Sequence, residues 1–320
     1  MPLTRCCFAG VDETTPLVEL AVVSDLYPYA EWGFLYSPKH QGMPGRFPSL
    51  TRIRRAFAEL PPYVLTALHL GDGAVRELLG GEPVVRGLLE QAHTRRARVQ
   101  LDIAAVDAAD LGPLAQLMLE HPRVMFVTRH SPGNAAVTRA LAAVPNRCVL
   151  FEADPDGRTP AHWAQGLEDM ACGYCGSLGP LNLLAQLPLI YEAAGAAEFW
   201  IQIDERVRDN DDRFSMSSAR RCLAIVSAQA ELQADIPAPR ALRRRCEPLA
   251  LIDKGLLRDD VEGDCELLLR ELVDATRDAL DPAVLGVRRR AQNLLLRRQA
   301  SFVQAPVEAG SGPQRGQARF

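Results

Sequence analysis

The stretch Arg98-Val99-Gln100-Leu101-Asp102-Ile103-Ala104 reads as a strand with two unlike faces. Side chains alternate along a strand, so Val99, Leu101 and Ile103 share one side while Gln100 and Asp102 share the other. The apolar side suits packing against helices. The polar side suits the interior of a barrel, where inward residues gather around a common opening. Helical patterns flank the stretch at 73–93 and 108–120. It is therefore one unit of a strand–helix series.

The series extends both ways. Strand-like runs occur at 4–10, 31–37, 63–70, 98–104, 123–130, 147–154, 171–177 and 199–205. Helical patterns separate them at 15–27, 49–59, 73–93, 108–120, 133–143, 160–169 and 180–194, and one follows the last run at 215–230. Strands alternating with helices of this length predict a parallel α/β sheet. Eight units predict a closed (β/α)8 TIM barrel, a fold of about 250 residues. An open doubly wound sheet would carry G-x-G-x-x-G after its first strand. The turn here is Ala9-Gly10-Val11-Asp12-Glu13-Thr14, which lacks that pattern. The predicted organisation is a barrel over 1–230, a C-terminal helical extension over 231–300 and a disordered tail over 301–320. Apolar stripes at Leu268, Leu272 and Ala275 and at Leu294 and Leu295 make residues 265–299 the expected contact for a homo-oligomer or a protein partner.

Composition agrees with a packed, water-exposed protein. The chain has 320 residues, 48% of them hydrophobic and 24% charged, with a formal net charge of −4. That balance gives no footprint for nucleic acid or a membrane surface. No run of about 18 apolar residues offers a membrane span. The start, Met1-Pro2-Leu3-Thr4-Arg5-Cys6-Cys7, lacks the apolar core of a secretion signal, so a cytoplasmic location is expected. The eight cysteines are dispersed, several in apolar runs. They read as buried free thiols of a reducing compartment.

The alternation found at 98–104 assigns faces elsewhere. In 63–70, Ala67 and His69 turn inward; in 147–154, Leu150 and Glu152; in 199–205, Gln202 and Asp204. Strand ends of a barrel form its active face. His69, Asp102, Glu152 and Asp204 are thus the candidate acid–base residues. The carboxylates could instead hold a divalent metal through oxygen ligands, as in a lyase or epimerase. Neither a cofactor nor a metal is assigned from the sequence.

The segment Cys172-Gly173-Tyr174-Cys175-Gly176-Ser177-Leu178-Gly179-Pro180 adds a second feature. On an extended chain Cys172 and Cys175 point to opposite faces, and no second ligand pair lies nearby, so the C-x-x-C is not read as a metal or redox pair. Gly176, Ser177 and Gly179 suit close approach of backbone N–H groups to an anion. Pro180 suits the first turn of a following helix, whose N-terminus attracts phosphate.

These residues resemble phosphoribosylanthranilate isomerase of tryptophan biosynthesis, a (β/α)8 barrel. Gly33-Phe34-Leu35-Tyr36-Ser37-Pro38-Lys39 with Arg46-Phe47-Pro48-Ser49 resembles the family's second strand and loop, G-F-x-F-x-P-K-S-P-R-x-V-S. Gly176-Ser177-Leu178-Gly179-Pro180-Leu181-Asn182 resembles its phosphate loop, G-G-L-N-P-E-N, and Cys148 to Ala153 occupies the place of its sixth strand. The likeness spans about residues 5–228. The chain is also similar to bacterial isomerase-like barrels around Gly10-Val11-Asp12 and Glu31-Trp32-Gly33. The resemblance implies an Amadori rearrangement with a Cys base on the first strand and an Asp acid on the sixth. Here Ala9 stands at the base position, Cys7 lies one layer deeper, and Glu152 takes the acid position. Glu205-Arg206-Val207-Arg208 stands where the family has S-G-V-E, so Arg206 would offer phosphate a charged fork in place of a glycine approach.

The expected function is binding of a small anionic, sugar-phosphate-like metabolite, with acid–base isomerisation. Glu152 is the acid, and Asp102, Asp204 or His69 the base. Lys39 and Arg46 grip the anion, while Gly176, Ser177, Gly179 and Arg206 cradle phosphate. A non-catalytic ligand- or protein-binding barrel is the alternative.

Overall fold

Eight strands pair in chain order, all parallel, and the last closes on the first. They are β1 Leu3–Ala9, β2 Ala30–Tyr36, β3 Leu65–Leu70, β4 Arg98–Leu101, β5 Met125–His130, β6 Arg147–Glu152, β7 Cys172–Cys175 and β8 Phe199–Ile203. The helices are α1 Leu17–Leu26, α2 Leu50–Glu59, α3 Ala74–Gly80, α4 Pro83–Arg95, α5 Leu111–Glu120, α6 Ala135–Ala140, α7 Leu183–Ala194 and α8 Met216–Leu232. This is a computed structural model, and it describes residues 3–103, 106–130, 134–153, 160, 162–167 and 170–232. The described residues all belong to the first of two units, Met1–Arg245 and Cys246–Phe320. The expected helical extension beyond Leu232 and the expected tail lie outside them. None of the described helices is long and apolar enough to cross a membrane.

Strand alternation builds two separate cores. Phe8, Trp32, Phe34, Leu68, Val99, Phe126, Tyr174 and Ile201 join the helices in the outer core. Cys7, Ala67, Val127, Cys148, Leu150 and Trp200 fill the inside of the barrel. The two sets differ by one position along each strand, as a period of two requires. Cys172 lies in the outer core while Cys175 packs against the inner one, so the C-x-x-C does straddle the sheet.

The inner core also holds charge. Glu31 is wholly buried and accepts from Arg98 Nε at 3.0 and 2.9 Å and from Arg5 Nη1 at 2.5 Å. The Arg98 guanidinium lies 4.4 Å from the Trp200 ring centroid, a stacked cation–π contact. His69 sits just above, over Gly33; a Cβ there would fall 2.9 Å from the imidazole, so only glycine leaves room for the ring.

Local signals explain several helix boundaries. The Ser49 hydroxyl accepts the Arg52 N–H and starts α2, an N-cap worth about 1 kcal/mol. The single helix expected over 73–93 breaks at Gly81, whose left-handed φ of 87° ends α3 before Pro83 starts α4. The helix expected over 160–169 is not formed in its described part. Residues 162–167 are irregular, and Trp163 explains why: its ring packs edge-on to Tyr174 at 5.9 Å while its Nε1 donates to Gln186 Oε1 at 3.0 Å. Gly166 N donates to Ala193 O at 2.8 Å, so this connection lies directly on α7.

Candidate functional site

The ends of the strands carry a ring of arginine–carboxylate pairs. Arg129, on β5, donates to Glu152 at the end of β6. Arg46, in the loop after β2, reaches Asp204, the residue after β8, at 3.3 Å. It also lies 3.7 Å from Asp212. Arg208 is buried and donates to Gly10 O at 2.7 Å and to Asp12 at 3.4 Å, tying the loop after β8 to the loop after β1. Asp12 in turn accepts from Thr14, Thr15 and the backbone N–H of Phe214.

Three sequence candidates, Asp102, Glu152 and Asp204, thus lie at the mouth, and Arg129 links them electrostatically. Burial disfavours the Arg129 charge, but the Glu152 hydrogen bond and the charges of Glu152 and Asp102 outweigh it, so its pKa is raised. Burial pushes the Asp204 carboxyl above its ordinary range, with Arg46 acting against it. Cys175, between them, is pushed up to about 12 by burial and then by Asp204 and Glu152, so it stays a neutral thiol. Among the described residues no three His, Cys, Asp or Glu side chains form a group suited to a metal. The mouth carboxylates face arginines instead.

His69 is not at the mouth surface. It is buried in the interior, 3.9 Å from Cys7 Sγ, and burial lowers its pKa to about 4. It is a neutral imidazole. Cys7 is equally enclosed, and burial raises its thiol pKa well above the ordinary value. Ala9, at the end of β1, offers no titratable group and is 1% exposed.

The loop after β7 differs from its sequence reading in one respect. α7 begins at Leu183, so Pro180 lies in a turn before the helix rather than in its first turn. Asn182 accounts for this: its Oδ1 accepts the Gly179 N–H at 2.9 Å, and its Nδ2 donates to Ser177 O at 2.9 Å. The Gly179 N–H is therefore satisfied within the loop. The glycines also serve packing. A Cβ on Gly179 would fall 2.2 Å from Arg206 Cβ, and one on Gly176 2.5 Å from Ala153 Cβ. Arg206 lies across this turn and donates from Nε to Ser177 Oγ at 3.1 Å. Among the described residues it makes no ion pair with a carboxylate.

Lys39 is exposed and belongs to a different sector. Its charge acts on Asp72, in the loop after β3, which also accepts from Ser37 and lies beside His40. Arg129 and His40 were absent from the sequence reading, and Cys175 and Arg208 were read there without being assigned to the mouth. Arg129 had a usable signal, since it follows Val127 by two positions on an inward face. His40 and Arg208 sit in loops, where parity says nothing.

No family profile matches the chain, and no curated protein does. Among solved structures it is similar to phosphoribosyl anthranilate isomerase from Thermus thermophilus, with 16% identity over 70% of this chain and 99% of that one and a TM-score of 0.46. It is similar to the Thermotoga maritima enzyme, solved as mutually generated monomers of a dimeric protein, at 16% identity, 70% and 99% coverage and TM-score 0.44. TrpF from Jonesia denitrificans matches at 13%, 70% and 97% coverage and TM-score 0.45. The chain is a (β/α)8 barrel, similar to phosphoribosylanthranilate isomerases. That assignment rests on the closed strand pairing. No residue role is carried over from these structures.

Proposed function

We propose that the barrel mouth binds a small anionic ligand of the sugar-phosphate kind and performs acid–base isomerisation on it. The observation that carries this reading is Arg206. It is an exposed guanidinium with its Nε fixed by Ser177, it has no carboxylate partner among the described residues, and it stands where the loops after β7 and β8 meet. A cation held in place but not neutralised suits an anion, and guanidinium favours phosphate through paired N–H donors.

In this reading Ser177, Gly176 and Gly179 shape the phosphate seat and Arg206 supplies its charge. Arg46 takes an oxygen deeper in the mouth, and Lys39 contributes charge at the rim. Glu152 is the acid; ionised while paired with Arg129, it must part from the arginine and take up a proton before it donates one. Its partner Arg129 is easily exchanged, because an ion pair with both side chains 37% exposed contributes only about 0–1 kcal/mol. The reading does not extend to the isomerase family's own reaction, since Ala9 has no proton to move and Cys7 is sealed one layer below.

The test is a titration with inorganic phosphate and with ribose 5-phosphate, followed by amide NMR shifts. Shifts centred on residues 176–179 and 206, weakened about tenfold or more in Arg206→Ala, are expected. Equal affinity in the variant, or shifts confined to other loops, would remove the reading.

A further inference from the structure

The geometry points to a proton-accepting dyad, His40–Asp72, on the β2–β3 sector of the mouth, with His40 Nε2 as the base of the reaction proposed above. The inference rests on that reading. It names a group outside the acid–base set considered so far.

Ser37 follows the end of β2, and Asp72 lies two residues past the end of β3, so both stand at the barrel's active face. The Ser37 hydroxyl donates to Asp72 Oδ2 at 2.6 Å and accepts the His40 backbone N–H at 3.1 Å. Its one hydrogen is therefore committed to the carboxylate. His40 Nδ1 lies 3.0 Å from the same Asp72 Oδ2 and 3.2 Å from Ser37 Oγ. An ionised carboxylate only accepts, so the proton between them belongs to Nδ1. The neutral imidazole then carries its lone pair on Nε2. Asp72 is fit for this role. The Ser37 hydrogen bond first, then His40 and the Lys39 charge, hold its carboxyl below its ordinary range and keep it ionised.

The dyad is anchored but open. His40 stacks on Phe47 with centroids 5.1 Å apart, while 43% of its side chain remains exposed. Nε2 has no partner among the described residues. Phe47 adjoins Arg46, whose guanidinium reaches Asp204, so the dyad and the mouth share one loop. The alternatives are poorer bases. Arg46 faces Asp204, Arg129 faces Asp102 and Glu152, and His69 is buried and neutral down to about pH 4.

The step balances within the protein and the ligand. Nε2 takes a proton from the carbon next to a carbonyl. The C–H pair becomes the C=C bond of an enediolate, the carbonyl oxygen takes up the charge, and Asp72 stabilises the imidazolium. Return of the proton to the former carbonyl carbon, while the hydroxyl proton of the first carbon passes to the former carbonyl oxygen, forms the new C=O and completes an isomerisation. Asp72 acts through His40 and is a positioning residue.

The experiment incubates the full chain with ribulose 5-phosphate in D2O and follows deuterium entry beside the carbonyl by NMR, with binding measured in parallel. The wild type is expected to bind and to exchange. His40→Asn is expected to bind equally and to lose about 100-fold or more of the exchange rate. Asp72→Asn is expected to lose less, and to shift the His40 proton between its ring nitrogens in 15N spectra. Exchange retained in His40→Asn overturns the dyad and leaves the proposed function standing. Binding without exchange in the wild type also overturns it. Absence of both binding and exchange removes the proposed function and the dyad with it.

Discussion

The guanidinium of Arg46 meets the carboxylate of Asp204 at 3.3 Å, although 158 residues separate them in the chain. The loop after β2 thereby crosses the end of β1 and reaches the end of β8. This contact partly neutralises a carboxylate that burial pushes above its ordinary range, and it sets the sign of the first prediction.

Arg46→Ala will raise the Asp204 pKa further. Burial already pushes that carboxyl up, and Arg46 is the strongest opposing charge. Side-chain carboxyl 13C shifts followed against pH measure it directly. An unchanged or lower midpoint in the variant means that the pair does not exist in solution.

His69 makes stability depend on pH. Its folded pKa of about 4 lies below the unfolded value of 6.5, so the unfolded chain binds the extra proton between them. The stabilisation is complete above pH 6.5 and is lost as pH falls through about 4. The loss amounts to about 3 kcal/mol. Urea unfolding at stepped pH will show this slope in the wild type, and His69→Gln will lack it. Parallel slopes in both proteins contradict the burial of the imidazole.

The inner ion pair predicts a large single-residue effect. Burial raises the Glu31 carboxyl, but Arg98 and Arg5 outweigh it and leave its pKa lowered. Glu31→Ala strands the Arg98 charge inside the barrel, at a cost of about 3–5 kcal/mol. For a barrel of this size that lowers Tm by about 6–20 °C. Glu31→Leu combined with Arg98→Met removes both charges and will recover much of the loss. A double variant as unstable as the single one shows that packing, not charge, dominates there.

A strain lacking the tryptophan-pathway isomerase will not grow when supplied with this chain. Ala9 gives β1 no acid or base, and burial keeps the Cys7 thiol protonated. Growth dependent on Cys7 shows that this thiol is reached by substrate, and with it the deeper layer of the barrel is a working site.

Much of this arrangement is legible in the chain, because strand parity is a local property. Val99, Leu101 and Ile103 join the outer core as their spacing says, and the same rule places Asp102, Glu152 and Asp204 at the strand ends. Their partners are less legible. Arg46 pairs with Asp204 only because a long loop crosses β1, and no periodicity reports such a path. Asn182 stands in the quoted glycine segment, yet its claim on the Gly179 N–H depends on the turn that positions it. The helix expected over 160–169 fails in its described part for a tertiary reason, since Trp163 packs on Tyr174 and bonds to α7. Glu31 is one acid in an otherwise apolar strand, a signal for a buried charge that the reading of inward faces did not use. Parity puts Arg98 with Gln100 and Asp102, and Arg5 with Cys7, on the inward side, but no local pattern reports that both meet Glu31 there.

The most direct measurement is a crystal structure grown with saturating inorganic phosphate and then with ribose 5-phosphate. Phosphate density within hydrogen-bond reach of both Arg206 and Ser177, with the sugar extending toward Glu152 and His40, is the predicted result. Density only on the outer helices, or a mouth filled by water at concentrations that saturate binding in solution, would contradict the account.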